Sequence, residues 1–288
     1  MSFTKSGGFP NFGIFSNTQG LISFLSQSPA PPPPPSDPIT GGTTTSVGGY
    51  NVHTFTSTGP NSMVVTAPVT VQILIVAGGG SPGDNGGDAG GGGGGGGGVY
   101  YTSSYTLDPG TYTVNVGAGG DIYLYGGPIN GQNSNIFMES TLVLYDVPGG
   151  GHGGNAPTNY SGDGNSGGSG GGGSVDISGT GLGGTGIPPF GNNGGTCYGQ
   201  LAGAGGGGAG TAGGDATYYG AHGTGGDGLP FTITGTTVYY GAGGNGGSLY
   251  GGGGTGLGGN GPNSGGGGYS VPYTSGASGI VIISEAPI

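Results

Sequence analysis

The stretch VTVQILIVAGGG, residues 69–80, decides how this chain is read. In its first half, Val69, Val71, Ile73 and Ile75 alternate onto one face, while Leu74 and Val76 partly fill the other. That period of two predicts a β-strand. The chain then passes directly into glycine. Working outward, YNVHTFT (residues 50–56) has the Tyr, Thr and Phe enrichment of a strand. Residues 99–117 predict another pair, with Asp108-Pro109-Gly110 as the turn between YTL and TYTVNV. Tyr112, Val114 and Val116 share one face of the second strand. IFMESTLVLYDV (residues 136–147) reads as a further strand pair, and GIVIIS (residues 279–284) as a last strand. A first and a last strand at opposite ends of the chain predict an all-β fold built on a closed antiparallel β-sandwich. The expected sandwich covers residues 39–148 and is completed by residues 279–288.

Glycine accounts for 86 of the 288 residues and dominates residues 78–98 and 149–278. The longest run is Gly90 to Gly98. Helix is excluded there, because glycine costs about 1 kcal/mol per residue relative to alanine. A solvated coil and a set of extended, polyproline-type helices packed side by side both remain. Nine residues of the second kind span roughly 28 Å. Ordering costs about 1–2 kcal/mol per residue, and each hydrogen bond returns about 0.5–1.5 kcal/mol net. Such a bundle therefore needs many neighbours and a rigid base. The interruptions are rich in Tyr, Thr and Asn: TNYSGDGN, SVDISG, IPPFGNN, TCYGQ, ATYYGAH, SLY and GYSVPY. FTITGTTVYY predicts a short hairpin about Gly235. No fixed period recurs, so a simple solenoid is excluded.

Composition removes several functional classes. Lys5 is the one basic residue besides three histidines, against twelve carboxylates, for a net charge of −11. A chain with one lysine and no arginine cannot neutralise phosphates, so no nucleic-acid partner is expected. Anionic membrane surfaces repel it, and no apolar run approaches the roughly 18 residues of a membrane span, so no membrane insertion is expected. A single cysteine, Cys197, excludes an internal disulfide. Residues 1–28 carry Phe3, Phe9, Phe12, Phe15, Leu21, Phe24 and Leu25, five of the nine phenylalanines among them. So short a segment cannot bury these groups in a core of its own. It reads as an anchor inserted into a partner, or as an element folded back onto the main domain. PAPPPPPSDP (residues 29–38) is a stiff spacer of about 3.1 Å per residue. The nearest candidate for a signal-peptide core, LISFL, is too short, so the protein is not expected to be Sec-secreted.

GGYNVHTFTSTG (48–59), VTVQILIVAGGG (69–80), GGGGGGVYY (93–101), LDPGTYTVNVGAGG (107–120) and SGIVII (278–283) come in an order that resembles the glycine-rich domain of bacteriophage tail fibres and adhesins. The similarity covers residues 42 to 284. It implies a β-sandwich carrying packed polyglycine II helices in the excursion 149–278, as in tail-tip adhesins of T-even-like phages, where loops at the end of the bundle contact the host receptor. This chain departs from the pattern in having its own anchor and proline spacer. Its interruptions are also longer, which leaves the receptor loops unassigned.

Other motifs carry little. G-x-G-x-x-G recurs, but at this glycine content chance alone gives about eight matches, and no Walker lysine follows. His53, His152 and His222 lack metal-ligand spacing to one another or to Cys197. Asp84, Asp88 and Asp163 lie in glycine-rich turns without the Asp-x-Asp-x-Asp pattern or closing Glu of a calcium loop, and calcium binding by a loop stays open. No nucleophile, base or paired carboxylates cluster, so neither catalysis nor a cofactor is expected. The tyrosines in or beside turns are the candidate receptor contacts: Tyr160, Tyr198, Tyr218, Tyr219, Tyr239, Tyr240, Tyr250 and Tyr269. Aromatic rings bind sugar faces and protein grooves at little entropic cost. Their alternative role is packing within the bundle or between subunits.

The sequence thus leads to a virion-surface appendage. Its expected partners are other virion proteins through residues 1–38, a host-surface glycan or outer-membrane protein, and further copies of itself, as in a trimer. A capsid decoration or head fibre with a purely structural role is the alternative, and a self-assembling extracellular filament a further one.

Overall fold

A computed structural model describes residues 37–83, 90–121, 128–155, 161–217, 221–248, 261–270 and 273–285. The expected anchor, all but the last two residues of the proline-rich spacer, and Tyr160, Tyr218, Tyr219 and Tyr250 lie outside the described residues. Two five-stranded antiparallel sheets form the sandwich. One has the order β1 (Ile39–Thr40), β4 (Gly59–Val65), β7 (Gly110–Val116), β8 (Asn135–Met138) and β9 (Thr141–Leu142). The other has the order β2 (Thr43–Val47), β3 (Tyr50–Phe55), β15 (Ile280–Glu285), β5 (Val69–Val76) and β6 (Val99–Leu107). The last strand therefore inserts between two early ones. Gly48 and Gly49, both at positive φ, make the tight turn joining β2 to β3.

The pleat of β5 distributes its side chains as the alternation requires. Val71, Ile73 and Ile75 join Val281 and Ile283 from β15 in the core between the sheets, where Met63, Val65, Tyr112, Val114, Val116 and Ile136 meet them. Leu74 and Val76 point the other way, with Val52, Ile280 and Ile282, into a second cluster. A hairpin of β13 (Leu229–Phe231) and β14 (Val238–Tyr240) covers that outer face with Ile233 and Tyr240. The turn expected at Asp108-Pro109-Gly110 is present, but the strands it joins do not pair with each other. β6 pairs with β5, and β7 pairs with β4 and β8. The turn is a corner that carries the chain from one sheet to the other. The Tyr112 hydroxyl fixes it by donating to the Asp108 carbonyl at 2.8 Å.

Above the sandwich the glycine segments form rods, and the described residues contain no helix. Gly90–Gly98 is the central rod. Its N–H groups rotate among three neighbours in steps of three residues: Gly92, Gly95 and Gly98 donate to Gly154, Gly151 and Pro148, Gly93 and Gly96 to Ala204 and Gly207, and Gly94 and Gly97 to Gly268 and Gly265, all at 2.8–3.1 Å. Its carbonyls accept from three further neighbours: Ala77, Gly80 and Gly83; Ser169 and Gly172; Gly244 and Gly247. A period of three residues with six neighbours is the threefold extended helix in hexagonal packing, the polyglycine II arrangement. Close approach requires glycine here. A Cβ on Gly94 would overlap the Gly80 carbonyl oxygen, and one on Gly95 that of Ser169.

The bundle extends beyond residues 149–278. β5 runs directly into the rod at 77–83, and the central rod returns into β6. β7 runs into 117–120, and residues 274–279 lead back into β15. These four strand ends thus continue as rods, while β3 and β4 at the same border are joined directly by residues 56–58. The rods share a sheet-proximal level, marked by Ala77, Gly98, Pro148 and Gly168. They also share a far level, marked by Gly83, Gly91, Gly154, Gly203 and Gly247.

Candidate functional site

Loops at the far level form the candidate site. β10 (Ser161–Gly162), β11 (Ser174–Val175) and β12 (Ala202–Gly203) make a small antiparallel sheet there. Cys197 bridges to Gly181 on one side and to Ala216 on the other. Beneath the loops lies a small buried cluster of Val175, Cys197, Ala202, Ala204 and Ala216. All five side chains are small, as burial among closely packed rods requires. Burial pushes the Cys197 thiol up to about 11, and its Sγ donates to the carbonyls of Gly199 and Ala202, both at 3.2 Å. The cysteine is a packing group and not a nucleophile.

Above that cluster the apolar side chains face water. Ile177 is 48% exposed, Leu182 56% and Tyr198 56%. Their backbones are tied together: Leu201 N–H donates to Asp176 O at 2.8 Å, Gly181 N–H to Cys197 O at 3.0 Å, and Tyr198 N–H to Ala216 O at 2.7 Å. Three exposed apolar groups on adjoining segments of a hydrogen-bonded frame have the character of a contact surface. Carboxylates border them and brace the frame. Asp163 accepts from Leu182 N–H at 2.8 Å and Asp215 from Thr196 N–H at 2.7 Å. No lysine or arginine occurs among the described residues to balance them.

The structure divides the candidate tyrosines. Tyr198 stands exposed at the far level. Tyr269 is half-buried at the same end, in a turn where its N–H donates to Thr274 Oγ1 at 3.2 Å. Exposed Tyr273, which the sequence reading passed over, bridges to Ser270 beside it. Tyr239 and Tyr240 are elsewhere, in β14 on the outer face of the sandwich. Tyr240 is 4% exposed and packs in the second cluster, and its burial pushes its hydroxyl pKa up. It faces inward because the hairpin needs an apolar side towards Leu74 and Ile282. Ile177 and Leu182 were also missed. Their signal was a lone apolar residue in SVDISG and in GTGLGG, where no core-forming period explains it.

At the opposite end of the sandwich, buried His53 sits in β3 with its Nε2 3.2 Å from Asp37 Oδ2. Asp37 also accepts from Asn51 Nδ2 at 3.0 Å and from Ile39 N–H at 2.8 Å. Burial, with the nearby Asp37 charge, pushes the Glu285 carboxyl above the usual range. Among the described residues no three His, Cys, Asp or Glu side chains gather as metal ligands.

No curated protein matches the chain. The family defined by the glycine-rich domain matches residues 54–285. That match runs from β3 through the rods to the end of β15, so it takes in the sandwich and the bundle together. The chain therefore belongs to the glycine-rich domain family.

Proposed function

We propose that the protein is a structural component of a bacteriophage particle, tethered through residues 1–38 and presenting the far end of its glycine bundle to the host surface as a tail-fibre adhesin. One observation carries this reading. Exposed Ile177, Leu182 and Tyr198 collect at the end of the bundle opposite Asp37, where the described body begins. The order of the strand motifs, which resembles tail-fibre adhesins, supports it. The mechanism is adsorption by surface contact. The backbone-bonded rods supply rigidity, and the loops supply recognition. The surrounding carboxylates repel anionic polysaccharide, which leaves a neutral glycan or an outer-membrane protein as the receptor class.

The test uses particles carrying Ile177→Ser, Leu182→Ser and Tyr198→Ala together. Adsorption to host cells should slow by about tenfold or more while particle yield and thermal stability hold. Unchanged adsorption with full incorporation would overturn the reading. Gold-labelled antibody against the far loops should mark the distal ends of fibres. Label spread over the capsid would indicate a decoration protein instead.

A further inference from the structure

The outer face of the β15 sheet changes character along its strands. Nearest the bundle it presents Val76, Val99 and Ile280, all buried. Farther out, the same face carries Tyr101, Gln72, Ser284 and Tyr50. The β13–β14 hairpin buries Ile233 and Tyr240 over the aliphatic part. Its turn reaches as far as Val47, which a Cβ on Gly235 would meet at 2.9 Å. Hairpin and sheet therefore touch at both ends, and between them Phe231 meets Tyr101 with open space beside that contact. The space left is a groove of about 720 Å³.

Its walls combine two chemistries. Tyr50, Tyr101, Phe231 and Tyr239 supply aromatic rings, and Gln72 and Glu285 supply hydrogen-bonding groups. Tyr101 is fixed in place: its ring centroid lies 5.1 Å from that of Phe231, and its hydroxyl donates to Gln72 Oε1 at 3.0 Å. Yet it remains 39% exposed towards the opening.

We propose that this groove binds a neutral saccharide. Pyranose rings present C–H faces that stack on aromatic rings, and hydroxyl edges that need both donors and acceptors. The groove offers both along one wall. Its volume falls within the roughly 300–1,000 Å³ of small-molecule sites. Among the described residues no cation lines it, and Glu285 is part of the lining, so sialylated or phosphorylated sugars are disfavoured. The hydroxyls of Thr232, Thr237 and Ser284 with Gln72 and Glu285 break up the apolar lining and disfavour a lipid chain. Among the described residues that line it, Glu285 is the one carboxyl, and the role inferred is binding. The inference is independent of the reading of the far loops, because the groove lies on the flank of the sandwich.

The test is titration of the full-length protein with a panel of neutral hexose and N-acetylhexosamine oligosaccharides, with sialylated counterparts and a proline-rich peptide as competing classes. Calorimetry and saturation-transfer NMR give the readout. At least one neutral oligosaccharide should bind, and Tyr101→Ala should weaken it about tenfold. Thr237→Trp fills the groove from an exposed rim position and should abolish binding, and it carries the test if Tyr101→Ala fails to fold. Tyr145→Ala removes an exposed ring outside the groove and should change nothing. Absence of binding to every neutral sugar at millimolar concentration would overturn the proposal. So would binding that survives both groove variants, and so would a preference for the acidic sugars or the peptide.

Discussion

The sandwich and the glycine bundle use the same backbone and reverse each other's rules. Between the sheets, Ile73, Ile75, Val114 and Val281 are fully buried, and side-chain volume does the holding. In the bundle the interior is backbone, and the space a side chain would need is already occupied by carbonyl groups. Each β-strand needs a neighbour on two sides. Each threefold rod turns its N–H and C=O groups through 120° per residue, so the central one needs six. A sheet can therefore end in an edge strand, whereas a lone rod leaves most of its polar groups to water. This is why the glycine content is so high: every rod satisfies its neighbours as well as itself. The lesson is that atoms removed weaken one region and atoms added weaken the other.

The sharpest way to break that contrast is Gly95→Ala, one methyl in the central rod. Its Cβ would overlap the Ser169 carbonyl oxygen, and that rod cannot retreat without losing bonds on its far side. A loss of about 4–5 kcal/mol in denaturant unfolding is expected. A loss below about 1 kcal/mol would mean the rods are not held as described. Ile73→Ala, the opposite operation in the sandwich, should cost about 3 kcal/mol through the cavity it leaves. The thiol of Cys197 gives a pH-dependent comparison. Burial pushes its folded pKa from the ordinary 9.0 up to about 11, so the folded state holds the proton more tightly. Stability should be level below about pH 9 and fall as pH rises towards 11. Cys197→Ala should remove that slope, and thiol-reactive probes at pH 8 should label the native protein only as it unfolds. The smallest effect belongs to Gly261→Ala, where none of the described residues lies within 4 Å of the added methyl. A change within about 0.5 kcal/mol there, beside the large one at Gly95, would separate packing from any general intolerance of alanine.

The sequence announced the strands because their side chains carry a period. Val71, Ile73 and Ile75 go to one core and Leu74 and Val76 to another, as their alternation requires. The hairpin about Gly235 was legible for the same reason. The corner at Asp108–Gly110 was not, since a Pro-Gly turn looks alike whether its strands pair or part. Register within the bundle was also hidden. A run of identical residues contains no mark saying that Gly93 bonds to Ala204 rather than to a residue elsewhere. At the candidate site, Tyr198 is exposed, Tyr240 takes the packing role that was the alternative for the tyrosines, and exposed Ile177 and Leu182 carried no aromatic mark to single them out.

The neighbours of the central rod come from residues 77–83, 148–154, 169–172, 204–207, 241–247 and 265–268. During synthesis, Gly90–Gly98 leaves the ribosome long before most of these partners exist. Pairings so distant along the chain make folding slow. The nascent chain must keep a bare polyglycine stretch in solution until residues 265–268 have been made. β15, which closes the sheet beneath the rods, is made last of all the strands. A product that stops before residue 280 would have neither a finished sheet nor a finished bundle, so quality control of this fold is in effect a check that β15 has been made.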